Sequence, residues 1–144
     1  AVLRTPLLWI LYLGYAGLGL GLWAAAAYAL GWTARISWPV HLLGMAGFGA
    51  LIVGMITRTA LGHTGRPLVA DRSMVCSYGL VFCAVVLRLV ALGASTHPVP
   101  WLHASAACWV LAFAVYLWRF LPMLVRPRAD QRPGKPVPLQ RRPH

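Results

Sequence analysis

The chain has 144 residues, of which 60% are hydrophobic and only 10% are charged, and its formal net charge is +11. A soluble domain carries about a quarter charged residues, so this composition excludes an ordinary water-soluble globular domain. The positive charge does not indicate nucleic-acid binding, because six of the thirteen Lys and Arg residues lie in 126–142 and most of the others flank uncharged stretches. That arrangement orients proteins in membranes, and we expect no nucleic-acid partner.

Uncharged runs along the chain are long enough to cross a bilayer, which takes about 20 apolar residues. Residues 5–34, 36–57 and 89–118 each reach that length, and 73–87 reaches it together with 89–94. We predict an all-α fold, an integral membrane bundle of four transmembrane helices over 1–125, with spans at about 7–30, 40–61, 73–94 and 100–125. Since no charged-then-apolar leader precedes the first span, we expect a piece of a larger polytopic protein.

Small residues recur in the first two spans. Gly17 and Gly21 form a small-xxx-small pair in the first span, and Ala46, Ala50 and Gly54 recur every four residues in the second. Such residues let the backbones of membrane helices approach closely. We therefore expect the small face of the second span to lie against another helix.

Carboxylates are scarce in this sequence, since there is no glutamate and both aspartates, Asp71 and Asp130, lie outside the predicted spans. Intramembrane proton relays and paired carboxylates are thereby disfavoured. Arg88 and Arg119 lie within predicted spans, and we expect neither to have a carboxylate partner. Either their long stems carry the charges to the lipid headgroups, or Arg88 binds an anion such as a haem propionate.

The stretch from 126 to 144 is rich in proline, arginine and glycine, which predicts a disordered basic tail. Basic residues are concentrated at the side of Arg4, Arg58, Arg66, Arg72 and this tail, whereas Arg35 lies at the other side. Because cytoplasmic loops hold the excess of Lys and Arg, we predict that both ends are cytoplasmic and that loops 31–39 and 95–99 are outside.

Histidines are the residues most able to bind a metal. His41 and His63 lie at opposite ends of the second span, about 33 Å apart at about 1.5 Å per residue, so they cannot bind the same ion. The topology groups His41, His97 and His103 at the outer side, with Arg88 nearby. His41 and His103 are candidates to hold a haem or a copper ion between two helices. The alternative is that each is an interfacial histidine with one hydrogen bond.

Three stretches carry a family resemblance: HLLGMAGFG at 41–49, MITR at 55–58 and LGHTGRPL at 61–68. Together they resemble the NnrS family, and LGHTGRP is the most specific element. Leu87-Arg88 and WVLAF at 109–113 are similar to the C-terminal part of that family. The resemblance covers about residues 5–130.

The resemblance implies a multi-pass protein of the bacterial inner membrane that contains haem and copper and is associated with nitric oxide stress and denitrification. Its implied partners are the lipid bilayer, the remainder of a larger parent or neighbouring helices, and nitric oxide. The haem-binding candidates are His41, His103, Arg88 and Arg58, and the metal-binding candidates are His41 and His63; His103 and Arg88 rest on the topology. The motif residues are Gly62, His63, Thr64, Gly65, Arg66 and Pro67.

Other interpretations of the same residues stay open at this point. A membrane electron-transfer module would need two histidines at matching depth on neighbouring helices, and a transport or scaffolding bundle would need no cofactor. His63 either belongs to a second metal centre or lies in a turn that only fixes the hairpin between the second and third spans. Whether the protein is an enzyme is also open.

Overall fold

The computed structural model describes residues 5–93 and 97–126. These parts contain four helices: α1 Pro6–Ala29, α2 Ser37–His63, α3 Arg72–Gly93 and α4 Pro98–Leu124. All four are long and apolar enough to cross a membrane, which confirms the predicted all-α bundle of four transmembrane helices. The predicted tail, apart from Arg126, lies outside the described residues, as do Arg4 and residues 95 and 96 of the predicted loop at 95–99.

Helices α1 and α2 form an antiparallel hairpin held by small residues. A Cβ atom at Gly17 would lie 2.5 Å from the carbonyl carbon of Ala46, and one at Gly54 would lie 2.8 Å from Leu11. The two backbones therefore meet where side chains are absent. Lipid is as apolar as the helices and gives no hydrophobic driving force for their association, so close packing of this kind holds them together. The expected small face of the second span is confirmed, and it lies against α1.

Helices α3 and α4 form the second antiparallel hairpin, which two serines join across its buried interface. The Ser77 hydroxyl donates to the carbonyl oxygen of Ala112 at 2.9 Å, and the Ser105 hydroxyl donates to that of Ala84 at 2.7 Å. Interhelical hydrogen bonds of this kind stabilise membrane bundles by about 0.6 kcal/mol each. They also fix the register in which the two helices face each other.

The first half of α2 contains a π-helical segment, Leu42–Gly49, between α-helical turns on both sides. π-helical turns are rare and occur often at functional sites. Gly44, Gly47 and Gly49 lie within this segment, and it packs closely against α1, since Gly17 lies against Ala46 and Gly47. The segment begins directly after His41.

Candidate functional site

The bundle has two ends that differ in their polar groups. The His41 end is where α2 and α4 begin and α3 ends, at Ser37, Pro98 and Gly93. The Asp71 end is where α2 and α4 end and α3 begins, at His63, Leu124 and Arg72.

Three of the predicted site residues lie at the His41 end and at similar depth. His41 is four residues after the start of α2, Arg88 is five residues before the end of α3, and His103 is five residues after the start of α4. At a rise of about 1.5 Å per residue, they lie about 6–8 Å inside the helix ends. The fold therefore places these residues of three helices in one layer.

His41 is half-buried, and its ring is oriented by its own helix. Nδ1 lies 2.8 Å from the carbonyl oxygen of Ser37, one turn earlier. A carbonyl oxygen only accepts hydrogen bonds, so Nδ1 carries the proton in the neutral ring and the lone pair is on Nε2. Histidines that bind metals are commonly held in this way, with the second nitrogen donating to a carbonyl.

Arg88 is also half-buried and lies on the buried stripe of α3 that includes Val81, Ala84, Val85 and Ala91. Its Nε atom is buried and has no hydrogen-bond partner within residues 5–93 and 97–126. The indole Nε1 of Trp38, at the same end, is also buried without a hydrogen-bond partner in those residues. Because a buried donor without an acceptor destabilises the fold, these two donors indicate capacity for an acceptor supplied from elsewhere.

His103 differs from His41 in that its side chain is exposed. Ser105, two positions later, faces α3 through its bond to Ala84, and two helical residues are about 200° apart around the axis. His103 therefore points away from α3. In the described part of the chain, no hydrogen bond joins it to His41 or Arg88, and no three His, Cys, Asp or Glu residues are grouped to hold a metal ion.

At the Asp71 end, the expectation that Arg119 has no carboxylate partner is wrong. The Arg119 guanidinium donates through Nε to Asp71 Oδ2 and forms a salt bridge between α4 and the residue preceding α3. The antiparallel register that pairs Ser77 with Ala112 also brings these two residues together. Asp71 lies outside the membrane-spanning helices, as predicted, but it is within reach of Arg119, which lies inside α4.

Asp71 also caps α3. Its Oδ1 atom accepts hydrogen bonds from the Met74 backbone N–H at 3.0 Å and from the Ser73 hydroxyl at 2.6 Å, the pattern of a helix N-cap. Partial burial raises the pKa of the Asp71 carboxyl, but the bonds from Ser73, Met74 and Arg119 and the charge of Arg119 outweigh it. The net result is a pKa below the ordinary value.

The motif at 62–67 ends α2. The Arg66 N–H donates to Leu61 at 2.9 Å and the Gly65 N–H donates to Gly62 at 3.1 Å, while Gly65 has a φ of +66°. These two bonds define a Schellman motif, in which glycine takes the left-handed position. The buried Thr64 hydroxyl adds a bond to Ala60 at 2.7 Å, and Pro67 follows where a helix cannot continue.

The remaining predicted site residues are distant from the His41 end. His63 is exposed in the last turn of α2, and Arg58 is half-buried five residues before it. They lie about 33 Å and about 26 Å from His41 along the helix axis. Arg66 has a buried Nε atom with no partner in the described ranges. These residues form a separate group at the Asp71 end.

Two features of the site were missed from the sequence. The Asp71–Arg119 pair had a detectable signal, because an aspartate directly before a span and two residues before Ser73 is typical of an N-cap. The π-helical segment after His41 had no comparable signal beyond its three glycines, since its geometry depends on packing against α1.

Comparison with known proteins identifies one family. The family model described as NnrS protein matches residues 1–128. Neither the curated proteins nor the solved structures include a match to the chain. Since the match covers most of the 144 residues, and since four helices of the chain can span a membrane, the chain belongs to the NnrS family of membrane proteins.

Proposed function

We propose that the chain is part of a haem- and copper-containing protein of the bacterial inner membrane that responds to or detoxifies nitric oxide, and that the His41 end holds the haem. The observation that carries the proposal is the hydrogen bond from His41 Nδ1 to the Ser37 carbonyl oxygen. It leaves Nε2 as the metal-binding nitrogen in the neutral ring. Membership of the NnrS family supports the assignment to nitric oxide.

The chemistry of the residues at the His41 end supports a haem there. Imidazole is a common protein ligand of haem iron, and His41 would provide one on a half-buried ring that is oriented by its own helix. A planar guanidinium matches a propionate carboxylate, and Arg88 has a buried Nε donor without a partner in the described residues. Haem iron supplies the site that binds nitric oxide; the protein residues orient the ring and set the polarity around it.

We do not propose His103 as a haem ligand, although its depth matches that of His41. It lies in the same layer as His41, but its side chain is exposed and points away from α3. We therefore assign the iron to His41 and regard His103 as a residue that contacts lipid or a neighbouring helix.

Copper is proposed at the opposite end, with His63 as one of its ligands. His63 is exposed at the end of α2, where the Schellman motif fixes the turn around it. Copper sites in proteins usually combine several imidazole or sulfur ligands, and the described residues contain no group of three His, Cys, Asp or Glu side chains. We therefore propose that further ligands of the copper come from outside residues 5–93 and 97–126.

Orientation in the membrane follows from the basic residues that the structure places at each end. Arg58, Arg66, Arg72, Arg119 and Arg126 lie toward the Asp71 end, whereas Arg35 and Arg88 lie toward the His41 end. By the positive-inside rule, we propose that the Asp71 end is cytoplasmic. A reporter inserted in the loop at 95–99 should be periplasmic, and a cytoplasmic signal would contradict this orientation.

The test of function is the metal content of the full chain purified from bacterial membranes. The absorption spectrum should show a Soret band, and His41→Ala should lose most of it because the iron loses its ligand. His63→Ala is the matched control on the same helix, and it should keep the haem while lowering the copper content. A wild-type protein without a Soret band would contradict the haem proposal, and unchanged haem and copper in both variants would contradict both ligand assignments.

A further inference from the structure

An apolar groove runs along the bundle where the α1–α2 hairpin meets α3. Its inner part has a volume of about 250 Å³ and is lined almost entirely by apolar atoms. Small residues, including Ala16, Gly17, Ala46 and Ala50, leave this space open, and Val81, Val86 and Leu89 form its α3 wall. Toward the His41 end, a more open apolar space adjoins the groove at Val86 and Leu89 and extends to Trp38 and Gly93.

The inner part of the groove is too small for a helix. From Val81 to Leu89 it extends eight residues, or about 12 Å, and its volume is about 250 Å³. A helix with its side chains is about 10–12 Å in diameter, so a segment of that length occupies roughly 1,000 Å³. A helix can lie over the opening but cannot enter the groove.

An aromatic and cationic opening adjoins the groove at Trp38 and Gly93, where the Trp38 ring lies against Gly93. Trp23, Trp32 and Trp38 line this opening together with Arg35 and Gly93. Tryptophan is enriched at the level of the lipid headgroups. The distance from Gly93 to Val81 is twelve residues, or about 18 Å, which is close to half of the roughly 30 Å hydrocarbon core.

Arg35 provides the charge at this opening. It is exposed in the loop between α1 and α2, and its Nη1 atom donates to the carbonyl oxygen of Leu92 near the end of α3. That bond holds the guanidinium beside the groove, and its remaining donors have no partner in the described part of the chain. A cation above a narrow apolar groove complements an amphiphile with an anionic head and a hydrocarbon tail.

We infer that the groove binds one acyl chain of an anionic phospholipid whose headgroup contacts Arg35. The surrounding bilayer is as apolar as the groove, so burial alone does not favour the bound chain. Close packing against three helices stabilises the tail, and Arg35 selects the headgroup. This inference is independent of haem, because none of the residues that line the groove is a proposed ligand.

The test is native mass spectrometry of the full chain in detergent with added dipalmitoyl phosphatidylglycerol or dipalmitoyl phosphatidylcholine. We expect one retained phosphatidylglycerol molecule and weaker retention of phosphatidylcholine. Val86→Trp fills the groove and should lower retention of both lipids about tenfold. The matched control is Val110→Trp, because Val110 is exposed on α4 away from the groove and its replacement should leave retention unchanged.

The headgroup assignment is tested separately from the groove. Arg35→Gln should reduce the preference for phosphatidylglycerol about fivefold, Arg35→Lys should keep most of it, and Arg72→Gln at the Asp71 end should not change it. Equal retention in wild type and in Val86→Trp would overturn the groove assignment, and Leu89→Trp provides the same test if Val86→Trp does not fold. A preference that is absent in wild type or unchanged in Arg35→Gln would overturn the choice of an anionic lipid.

Discussion

Arg88 and Arg119 allow a direct comparison between the two ends of the α3–α4 hairpin. Each lies five residues before the last residue of its helix, and each is half-buried. Arg119 is paired with Asp71, whereas Arg88 has a buried Nε donor with no partner in residues 5–93 and 97–126. Equal positions in two helices thus have different electrostatic environments.

The difference separates a structural arginine from one that can bind a ligand. Asp71 neutralises Arg119 and caps α3, so both charges of that pair already have partners within the protein. Arg88 shares its depth with His41, whose Nε2 atom is oriented for a metal, and its charge is available for an anion. An ionisable side chain within a membrane-spanning helix is costly and commonly marks a functional site.

The largest expected effect comes from removing the carboxylate at the Asp71 end. Asp71→Ala loses both the helix cap and the ion pair, and we expect the free energy of unfolding to fall by about 2–3 kcal/mol. The ion pair contributes the smaller part of this value, because the two side chains are 35% and 34% exposed and solvent screens their charges. Denaturant unfolding of the full chain in detergent measures this change.

Asp71→Asn is the control for that variant, because an amide oxygen still caps the helix. It should lose only about 1 kcal/mol. If Asp71→Ala unfolded at the wild-type denaturant concentration, the Asp71 end would not be held by this residue.

The turn that leads to Asp71 should show the next largest effect. Gly65 has a φ of +66°, and Gly65→Ala should destabilise the protein by about 1–2 kcal/mol because other residues resist that conformation. Gly62→Ala is the matched control, since a Cβ atom there meets nothing within 4 Å and should be neutral or stabilising. Equal thermal stability of the two variants would contradict the Schellman motif.

Replacing each arginine by leucine sharpens the comparison between them. Arg119→Leu leaves Asp71 without its cation and should cost about 1 kcal/mol. Arg88→Leu removes a donor without a partner, so the haem-free protein should change by less than about 0.5 kcal/mol or become more stable. Unfolding curves of the haem-free variants provide the test, and a larger loss for Arg88→Leu would reverse the assignment of the two ends.

Acid should weaken the Asp71 end. The pKa of Asp71 is lower in the folded protein than its ordinary value of 3.8, so its contribution is fully present above that value. It is lost as the pH falls through the lower folded pKa. Unfolding measured from pH 6 to pH 2 should therefore show a decline below about pH 4, and Asp71→Asn should show a smaller one. Parallel curves for the two proteins would show that another group is responsible.

The fold was predictable from the sequence because long uncharged runs have few alternatives in a membrane. The face of Ala46, Ala50 and Gly54 was predictable as well, since small residues at helical spacing indicate close packing. The salt bridge between Asp71 and Arg119 was not, because it depends on the register between two helices, which the buried serines set.

The candidate site was predictable in its location but less so in its chemistry. The topology alone places His41, Arg88 and His103 at one end. The hydrogen bond of His41, the unpartnered Nε atom of Arg88 and the outward direction of His103 depend on side-chain packing and on the local helix geometry. The LGHTGRP string was noticed in the sequence as a family motif, but its structural role was not predicted. Part of it ends a helix.

The most direct test of the account is the haem content of Arg88→Gln and Arg119→Gln, measured per polypeptide after identical purification of the full chain. If the end with His41 and Arg88 binds the haem, Arg88→Gln should hold several times less haem than wild type, while Arg119→Gln should keep the wild-type amount. Equal haem content in the two variants, or a larger loss in Arg119→Gln, would contradict it.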